Sequence, residues 1–265
     1  MPKMNLNGHN IYYEDHGTGP ETIVFAHGLL FSGRMFDHQV QMLKDHYRCI
    51  TFDFRGQGQS DVTASGYDMD TLTEDCITLM KELDCTPCHF LGLSMGGFVG
   101  MRLAIRHPEL IKSLMLLETT ADPEPKESMA QYKKLNFVAR WFGLKVVINR
   151  VMPIMFGQKF LQDENRKEQR QAWQQAIMGN DRIGITRAVK GVIYREGVYE
   201  DLDKISTPTL IIVGDQDVAT EPDKADRIHA RIPNSKLMMI PGAGHTSTVE
   251  EPDAVNAALR DFLKF

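Results

Sequence analysis

Long hydrophobic runs are absent from this chain of 265 residues, and so is an apolar segment near its N-terminus. The uninterrupted apolar runs, of which residues 114–117 are typical, have the length of a strand rather than the roughly 18 to 20 residues of a membrane span. Residues 1–17 lack the apolar h-region of a secretory signal. We therefore expect no membrane span, no signal peptide and a cytoplasmic location.

An excess of positive charge is also absent, since 30 Lys and Arg residues stand against 35 Asp and Glu residues, for a formal net charge of −5. The densest basic segment, residues 166–170, lies among glutamates and glutamines and is interpreted as a solvated helix face. This balance gives no electrostatic reason to expect nucleic acid or an anionic membrane as a partner. No pattern in the sequence indicates an oligomeric state.

Cysteine is scarce, with four residues, although Cys85 and Cys88 have the C-x-x-C spacing and His89 follows them. A zinc site of this kind needs a second cluster of ligands, which the sequence lacks. A redox pair is expected at a helix N-terminus, whereas this pair falls between a predicted helix and a predicted strand. We therefore expect no metal and no other cofactor, and we interpret both cysteines as small apolar side chains near a sheet edge.

Apolar residues make up 42% of the chain and charged residues 25%, which is typical of a globular protein that buries a core. Short apolar runs alternate with segments of helical periodicity, and this alternation predicts a mostly parallel sheet covered on both faces, an α/β fold with a doubly wound sheet. The predicted strands are residues 10–16, 21–27, 47–52, 89–93, 113–117, 209–214 and 236–240. The predicted helices are residues 35–45, 72–83, 95–106, 221–231 and 252–263.

The alternation stops between residues 121 and 199. This segment contains no convincing strand and is rich in helix-forming residues, methionine and aromatic residues. It predicts a helical cap, or lid, inserted into a core formed by residues 1–120 and 200–265. The apolar side chains of the insertion either pack on the core or line a pocket above it.

Ser94 has the strongest functional signal in the sequence. It stands in the pattern G-x-S-x-G between Gly92 and Gly96, after an apolar strand and before a helix. This context is that of a nucleophile elbow, a tight turn that holds the serine hydroxyl at the end of the strand. Glycines remove the Cβ atoms that would clash in such a turn, and the helix that follows directs its N–H groups toward the serine.

A serine becomes a good nucleophile only when a base takes its proton, and the chain has nine histidines. His245 differs from the others because it follows Gly242 and Gly244 in the loop after the last predicted strand. Such a loop projects the imidazole to the edge of the sheet where Ser94 also emerges. We therefore predict that His245 is the general base.

Three carboxylates are candidates for the group that orients the imidazole. Asp215 and Asp217 both follow the strand that ends at residue 214, and their positions in the sequence make them nearly equal candidates. Glu118, at the end of another strand, ranks well below them.

An oxyanion that forms during attack by Ser94 needs two donors. One is expected to be the backbone N–H of Met95, the residue after the nucleophile. The other is expected from the loop after the predicted strand 21–27, where Gly28 permits a close approach and Leu29 supplies its N–H.

Taken together, these motifs resemble those of the α/β-hydrolase superfamily over nearly the whole chain. His27-Gly28 is similar to the oxyanion loop of that superfamily, and residues 53–60 resemble its D-x-R-G-x-G-x-S loop. Ser94 matches its nucleophile, and His245 matches its histidine. The fold class implied is the α/β-hydrolase fold.

The resemblance also implies which acid is used. In this superfamily the acid commonly stands third after the glycine that ends its strand, here Gly214, and this position is Asp217. Asp215 then has a role in structuring the loop. Asp53 and Arg55, although conspicuous, are implied to hold loops together.

Within the superfamily the chain looks most similar to small, cofactor-free esterases and lactonases of the 3-oxoadipate enol-lactonase type. The resemblance rests on the sequence at 92–97, on Met-Phe-Asp at 35–37 and on Pro-Ile-Met-Phe-Gly at 153–157. Enol-lactones, N-acyl homoserine lactones and aryl esters remain open as substrates.

The predicted function is that of a serine hydrolase cleaving a small carboxylic ester or lactone through an acyl-enzyme on Ser94. The partner expected is this small-molecule substrate, in a pocket between Ser94 and the insertion. Four side chains are predicted to line that pocket: Leu30, Phe31, Trp141 and Met155.

Three alternatives use the same residues. A carbon–carbon hydrolase of ring-cleavage products shares the Ser-His-Asp set, and a perhydrolase replaces water by peroxide. A hydrolase-like ligand sensor would keep the residues without sustained turnover.

Overall fold

An eight-stranded sheet organises the computed structural model, which describes residues 2–265. The order of its strands is β1-β2-β4-β3-β5-β6-β7-β8, in which β1–β2 and β2–β4 pair antiparallel and the remaining neighbours pair parallel. The strands are β1 Lys3–Leu6, β2 His9–His16, β3 Thr22–Ala26, β4 Arg48–Phe52, β5 Cys88–Leu93, β6 Ile111–Leu117, β7 Thr209–Gly214 and β8 Ser235–Ile240.

Helices cover both faces of this sheet. Those outside the predicted insertion are α1 Asp37–Leu43, α2 Met69–Glu82, α3 Met95–Arg106, α9 Pro222–Arg231, α10 Ser247–Glu250 and α11 Pro252–Leu263. Those of the insertion are α4 Lys126–Phe142, α5 Ile148–Met155, α6 Gln158–Gln162, α7 Lys167–Met178 and α8 Arg182–Ile193. Within residues 2–265, none of the helices combines the length and the apolar composition that crossing a lipid bilayer requires.

Two hydrophobic cores result, one on each face. Phe90 of β5 enters the core shared with α2, α3 and α9, whereas its neighbour Leu91 enters the core shared with α1 and α11. Successive side chains of a strand point to opposite faces, so a strand buried on both sides is apolar throughout. The expected α/β-hydrolase fold, with a mostly parallel and doubly wound sheet, is confirmed.

The helices α4 to α8 all lie between β6 and β7, in the segment predicted as an insertion. Their apolar side chains join the same core as α1 and α11, and Phe156 and Phe160 stack there with ring centroids 4.9 Å apart. The insertion is therefore anchored to one face of the sheet by burial of apolar surface.

Most predicted elements are present, and the structure differs from the sequence-based expectations at three places. The helix predicted over 35–45 begins instead with a 3₁₀ turn, Gly33–Phe36, before α1. The first strand, Lys3–Leu6, was not predicted, because it has four residues at the sheet edge and only Leu6 among them is buried. Cys88 begins a central strand, so the two cysteines do not lie near a sheet edge as expected.

Candidate active site

Ser94 occupies the turn between β5 and α3 with φ 52° and ψ −109°, a strained conformation for a residue with a side chain. The turn is tight enough to require glycine at both flanking positions. A Cβ on Gly92 would lie 2.3 Å from the carbonyl oxygen of Gly96, and a Cβ on Gly96 would lie 1.9 Å from that of Ala26. The hydroxyl of Thr119, which the sequence did not suggest, donates to the carbonyl of Ser94 at 2.9 Å and supports the turn.

The three residues predicted for the chemistry lie in contact. Nε2 of His245 is 2.8 Å from Oγ of Ser94, and Nδ1 of His245 is 2.9 Å from Oδ2 of Asp217. The carboxylate at Nδ1 selects the tautomer in which Nδ1–H donates to Asp217 and Nε2 accepts from the serine hydroxyl. All three side chains are buried, so water competes little for these hydrogen bonds.

Asp217 is held by more donors than the imidazole alone. Its Oδ1 accepts from the backbone N–H groups of Ala219 at 2.8 Å and Thr220 at 3.0 Å, and its Oδ2 accepts from the hydroxyl of Thr220 at 2.8 Å. Burial by itself raises the pKa of Asp217, but the charge and hydrogen bond of His245 and the donors of Thr220 outweigh it, and the net pKa lies below its ordinary value. The carboxylate is therefore ionised when the imidazolium forms beside it.

The other two carboxylates weighed from the sequence make no hydrogen bond to His245. Asp215 is exposed, and its Oδ1 accepts from the backbone N–H of Gly242 at 2.7 Å, which ties the two loops together. Glu118 is fully buried, and the hydroxyl of Ser247 and the backbone N–H of Gly214 near its carboxyl group only partly offset the effect of that burial on its pKa. Burial raises the pKa of Glu118 well above its ordinary value, so it is a neutral acid behind Asp217.

This neutral acid predicts a pH dependence of stability. Because the pKa of Glu118 is higher in the folded than in the unfolded state, the folded state binds more protons, and stability falls as pH rises above 4.5 toward the folded pKa. Relative to Glu118→Gln, the wild-type free energy of unfolding is expected to decrease by about 1.4 kcal/mol per pH unit in that window. Urea unfolding at pH 5, 6 and 7 measures this slope.

The control is Glu82→Gln, which changes an exposed glutamate and should leave the wild-type slope intact. The test compares slopes, so a constant loss of stability in either variant does not affect it. Parallel pH profiles for wild type and Glu118→Gln would show that Glu118 is ionised in the folded protein.

The two expected oxyanion donors flank Ser94. A Cβ on Gly28 would lie 3.4 Å from Cβ of Ser94, so the loop carrying Leu29 passes directly against the nucleophile. In the part of the chain that the structure describes, the backbone N–H groups of Leu29 and Met95 make no hydrogen bond to another protein group. Neither N–H group is therefore occupied by a protein acceptor, and their role as oxyanion donors stays a prediction.

His27 and Gln57 hold that loop in place. The ring of His27 accepts from the backbone N–H of Phe54 at 2.9 Å through Nε2 and donates to the carbonyl of Gly28 at 2.7 Å through Nδ1. Burial lowers the pKa of His27, which keeps the ring neutral and able to accept at Nε2. The side-chain carbonyl of Gln57 accepts from the backbone N–H of Leu30 at 2.9 Å.

Asp53 and Arg55 have the structural roles implied by the resemblance. Asp53 accepts from the backbone N–H groups of Gly33 and Gln59, both at 2.8 Å. Arg55 forms a buried two-point ion pair with Asp75, with donor distances of 2.7 and 2.6 Å. Both side chains therefore stabilise loops through these hydrogen bonds and this ion pair.

A cavity opens from Ser94 and His245 beneath the insertion, and it is lined mainly by apolar side chains. Leu30 and Met155, two of the four predicted lining residues, lie in its wall together with Leu29.

The other two predicted lining residues are corrected by the structure. Trp141 is 65% exposed, because α4 turns Leu135 and Ala139 toward the cavity and Trp141 toward solvent. Phe31 is buried but lies outside the cavity wall. Its ring packs edge-on against Phe156 and Trp173, at centroid distances of 6.1 and 5.7 Å.

A buried ion pair in the cavity wall was missed by the sequence analysis. Nη1 of Arg195 donates to Glu124 at 2.7 Å and to the carbonyl of Val192 at 2.9 Å, and Nε donates to the carbonyl of Asp122 at 3.2 Å. The two charged side chains are 3% and 9% exposed, so each neutralises the other away from water. Near them, burial raises the pKa of Tyr132 to about 12.

Three solved structures resemble this one over almost their whole length. The enol-lactonase from Burkholderia xenovorans LB400 is 26% identical, with a TM-score of 0.93 and 100% of both chains covered. A thermophilic esterase from Thermogutta terrifontis is 27% identical, with a TM-score of 0.90, covering 99% of this chain and 96% of that one. A bromoperoxidase from Bacillus anthracis is 28% identical, with a TM-score of 0.87, covering 97% and 96%.

The sequence of residues 21–252 matches the family model described as the alpha/beta hydrolase fold. The matched region contains the elbow at Ser94, the whole helical insertion and the loop of His245. The chain therefore belongs to the α/β-hydrolase family.

Proposed function

We propose that this protein is a serine hydrolase that cleaves small carboxylic esters or lactones through an acyl-enzyme on Ser94. The observation that carries the proposal is the unbroken series of hydrogen bonds from Ser94 through His245 to Asp217 at the wall of an apolar cavity. The similarity to an esterase and an enol-lactonase supports the same reaction class.

In the proposed mechanism, Oγ of Ser94 attacks the carbonyl carbon while Nε2 of His245 takes the hydroxyl proton. The negative charge that develops on the carbonyl oxygen is stabilised by the N–H groups of Leu29 and Met95 and by the N-terminus of α3. Nε2 then returns the proton to the leaving alcohol, which stays tethered to the acyl group when the substrate is a lactone. Water, activated by the same imidazole, releases the acid and regenerates the serine.

Two proton transfers place a positive charge on His245, and Asp217 stabilises that charge. The lowered pKa of Asp217 keeps this carboxylate ionised down to acidic pH. Activity therefore does not depend on deprotonating Asp217 in the neutral range.

The proposed way to detect the acyl-enzyme is rapid quenching of a reaction with 4-nitrophenyl butyrate, followed by mass spectrometry. A butyryl adduct is expected on the peptide that contains Ser94, and sustained turnover is expected afterwards. A ligand sensor would instead release about one equivalent of nitrophenol and stop. An adduct on any other residue would contradict the proposal.

The cavity favours an uncharged acyl group. Two residues of the described lining, Glu124 and Arg195, belong to the Asp, Glu, Lys and Arg types. Their charges neutralise one another. A substrate with a distal carboxylate would lose its hydration in this cavity without meeting a free cation, which is unfavourable. Neutral esters and lactones are therefore the proposed substrates.

This charge selectivity is expected in a matched pair of esters, 4-nitrophenyl hexanoate and the mono-4-nitrophenyl ester of adipic acid. They have the same chain length and differ in a terminal methyl against a terminal carboxylate. The neutral ester is expected to have a kcat/KM about 100-fold higher, which corresponds to about 2.7 kcal/mol. Steady-state hydrolysis at pH 7 measures the ratio.

The variant Glu124→Gln leaves Arg195 as a free cation, and it should narrow this ratio by raising activity toward the anionic ester. Each ratio is measured on one protein sample, so a partly unfolded variant still reports it. Equal kcat/KM values for the two esters on wild type would show that charge plays no part in selection.

A perhydrolase activity is a second candidate, favoured by the similarity to the bromoperoxidase. Hydrogen peroxide would replace water in attacking the acyl-enzyme, releasing a peracid and free Ser94. Peroxide-dependent bromination in acetate buffer, abolished by Ser94→Ala, is its test.

A further inference from the structure

The outer side of the insertion exposes apolar side chains to solvent. We call them the cap patch, and five residues form it: Phe137, Trp141, Phe142, Val146 and Tyr194, with exposures of 61–68%. The rings of Phe137 and Trp141 have centroids 6.4 Å apart, and both border a surface hollow that Tyr194 also borders. Scattered exposed apolar residues are ordinary, but a contiguous aromatic cluster marks an interaction surface.

The cap patch is accompanied by positive charge alone. The same hollow is bordered by four cations, Lys133, Arg140, Arg187 and Lys190, and by no acidic residue among those described. The ammonium of Lys133 lies 4.8 Å from the ring centroid of Tyr194. The surrounding sequence has the same bias, because residues 128–162 and 182–195 contain Lys and Arg but no Asp or Glu.

We propose that the cap patch docks on the surface of an anionic lipid bilayer, without spanning it. Aromatic side chains favour the boundary between headgroups and acyl chains, and lysine and arginine are attracted to anionic headgroups. A helix with an apolar face and flanking cations binds such a surface through both contributions. The expectation of no membrane partner rested on the net charge of −5, which averages over this local cluster.

Charge also selects this occupant over a second copy of the chain. In a two-fold symmetric contact the same patch faces itself, so Lys133, Arg140 and Lys190 would approach like charges. A single-stranded nucleic acid would satisfy the cations and stack bases on the aromatic rings, but it offers no apolar partner to Val146. An anionic bilayer accommodates the cations and the apolar side chains together.

The cap-patch residues of α4 lie on the opposite side of that helix from the cavity. Leu135 and Ala139 line the cavity, whereas Phe137 and Trp141 face solvent. Docking uses none of the residues assigned to ester hydrolysis, so Ser94→Ala is expected to bind vesicles as wild type does. Failure of the proposed reaction and failure of this docking are therefore separate results.

Trp141 is a built-in reporter, since the chain has two tryptophans and Trp173→Phe leaves Trp141 alone. With vesicles of phosphatidylcholine containing phosphatidylglycerol, its emission is expected to shift to shorter wavelength as it leaves water. Vesicles of phosphatidylcholine alone are expected to produce little shift at the same lipid concentration. Co-sedimentation of the wild-type protein with the two vesicle types checks the result independently of the Trp173 substitution.

Two double variants isolate the role of charge. The double variant Lys133→Gln with Lys190→Gln is expected to weaken partitioning into the anionic vesicles about 25-fold, because each lysine near the surface contributes about fivefold. The matched control, Lys204→Gln with Lys236→Gln, makes the same change of net charge at exposed lysines outside the cap patch. It is expected to weaken partitioning less than about twofold, because distant charges are screened.

Four outcomes would overturn the docking proposal. One is the same Trp141 emission with and without anionic vesicles, and another is an equal loss of partitioning in the two double variants. The third is a concentration-dependent rise in sedimentation mass without lipid that Trp141→Ser abolishes, which would assign the patch to a second copy. Tighter binding of a fluorescent single-stranded oligonucleotide than of the anionic vesicles would likewise assign it to nucleic acid.

Discussion

Replacing Ser94 by alanine is expected to lower kcat for a neutral 4-nitrophenyl ester by roughly 10⁴- to 10⁶-fold, the range that deleting a single residue of a Ser-His-Asp triad costs. The expected loss is large because Oγ of Ser94 is the atom that forms the acyl bond, and the described residues place no other hydroxyl against Nε2 of His245. The oxyanion donors and the cavity remain, so residual hydrolysis above the uncatalysed rate is expected. Initial rates at saturating ester, divided by the concentration of folded protein, measure the loss.

The matched control is Ser65→Ala, which removes an exposed hydroxyl and should retain wild-type kcat. Wild-type kcat in Ser94→Ala, with the ester that wild type hydrolyses, would refute the acyl-enzyme. Rates lowered equally in both variants would point to general loss of folded protein rather than to the chemistry.

Replacing Asp217 by asparagine is expected to lower kcat about 10⁴-fold, as tautomer mismatch does in a serine protease. An amide at this position keeps the shape but carries no charge to stabilise the imidazolium. Its NH₂ group can also turn toward Nδ1 and favour the tautomer that cannot accept the proton of Ser94. The kcat of the variant for the same neutral ester, followed from pH 5 to 9, measures the effect.

Asp215→Asn is the matched control for this substitution. Its oxygen still accepts from the N–H of Gly242, so kcat is expected to stay within about threefold of wild type, as for most surface changes. The reverse pattern, a mild Asp217→Asn and an inactive Asp215→Asn, would transfer the orienting role to Asp215.

Those parts of the site that depend on local sequence could be predicted. Gly92 and Gly96 identify the elbow, because a Cβ atom at either position would lie 2.3 Å or less from a backbone carbonyl oxygen. Gly242 and Gly244 likewise single out His245. The two aspartates after β7 could not be separated by strand alternation, and the choice of Asp217 came from the resemblance.

Those parts that depend on long-range packing were missed or misplaced. Glu124 and Arg195 are 71 residues apart in the chain, and no periodic pattern joins them. Trp141 was predicted to line the pocket as one of the apolar side chains of the insertion, but the orientation of α4 is decided by what packs beneath it. The net charge likewise carries no information about where the cations lie.

The backbone of Ser94 has a consequence for the evolution of this chain toward higher thermal stability. A non-glycine residue at φ 52° and ψ −109° costs on the order of 1 to 3 kcal/mol, which the surrounding contacts must offset. Glycine would relax that turn, so selection for heat resistance alone would favour loss of the hydroxyl. The nucleophile Ser94 thus lowers the free energy of unfolding relative to glycine at the same position. Changes that stabilise the protein without loss of the hydroxyl must therefore come from elsewhere in the chain.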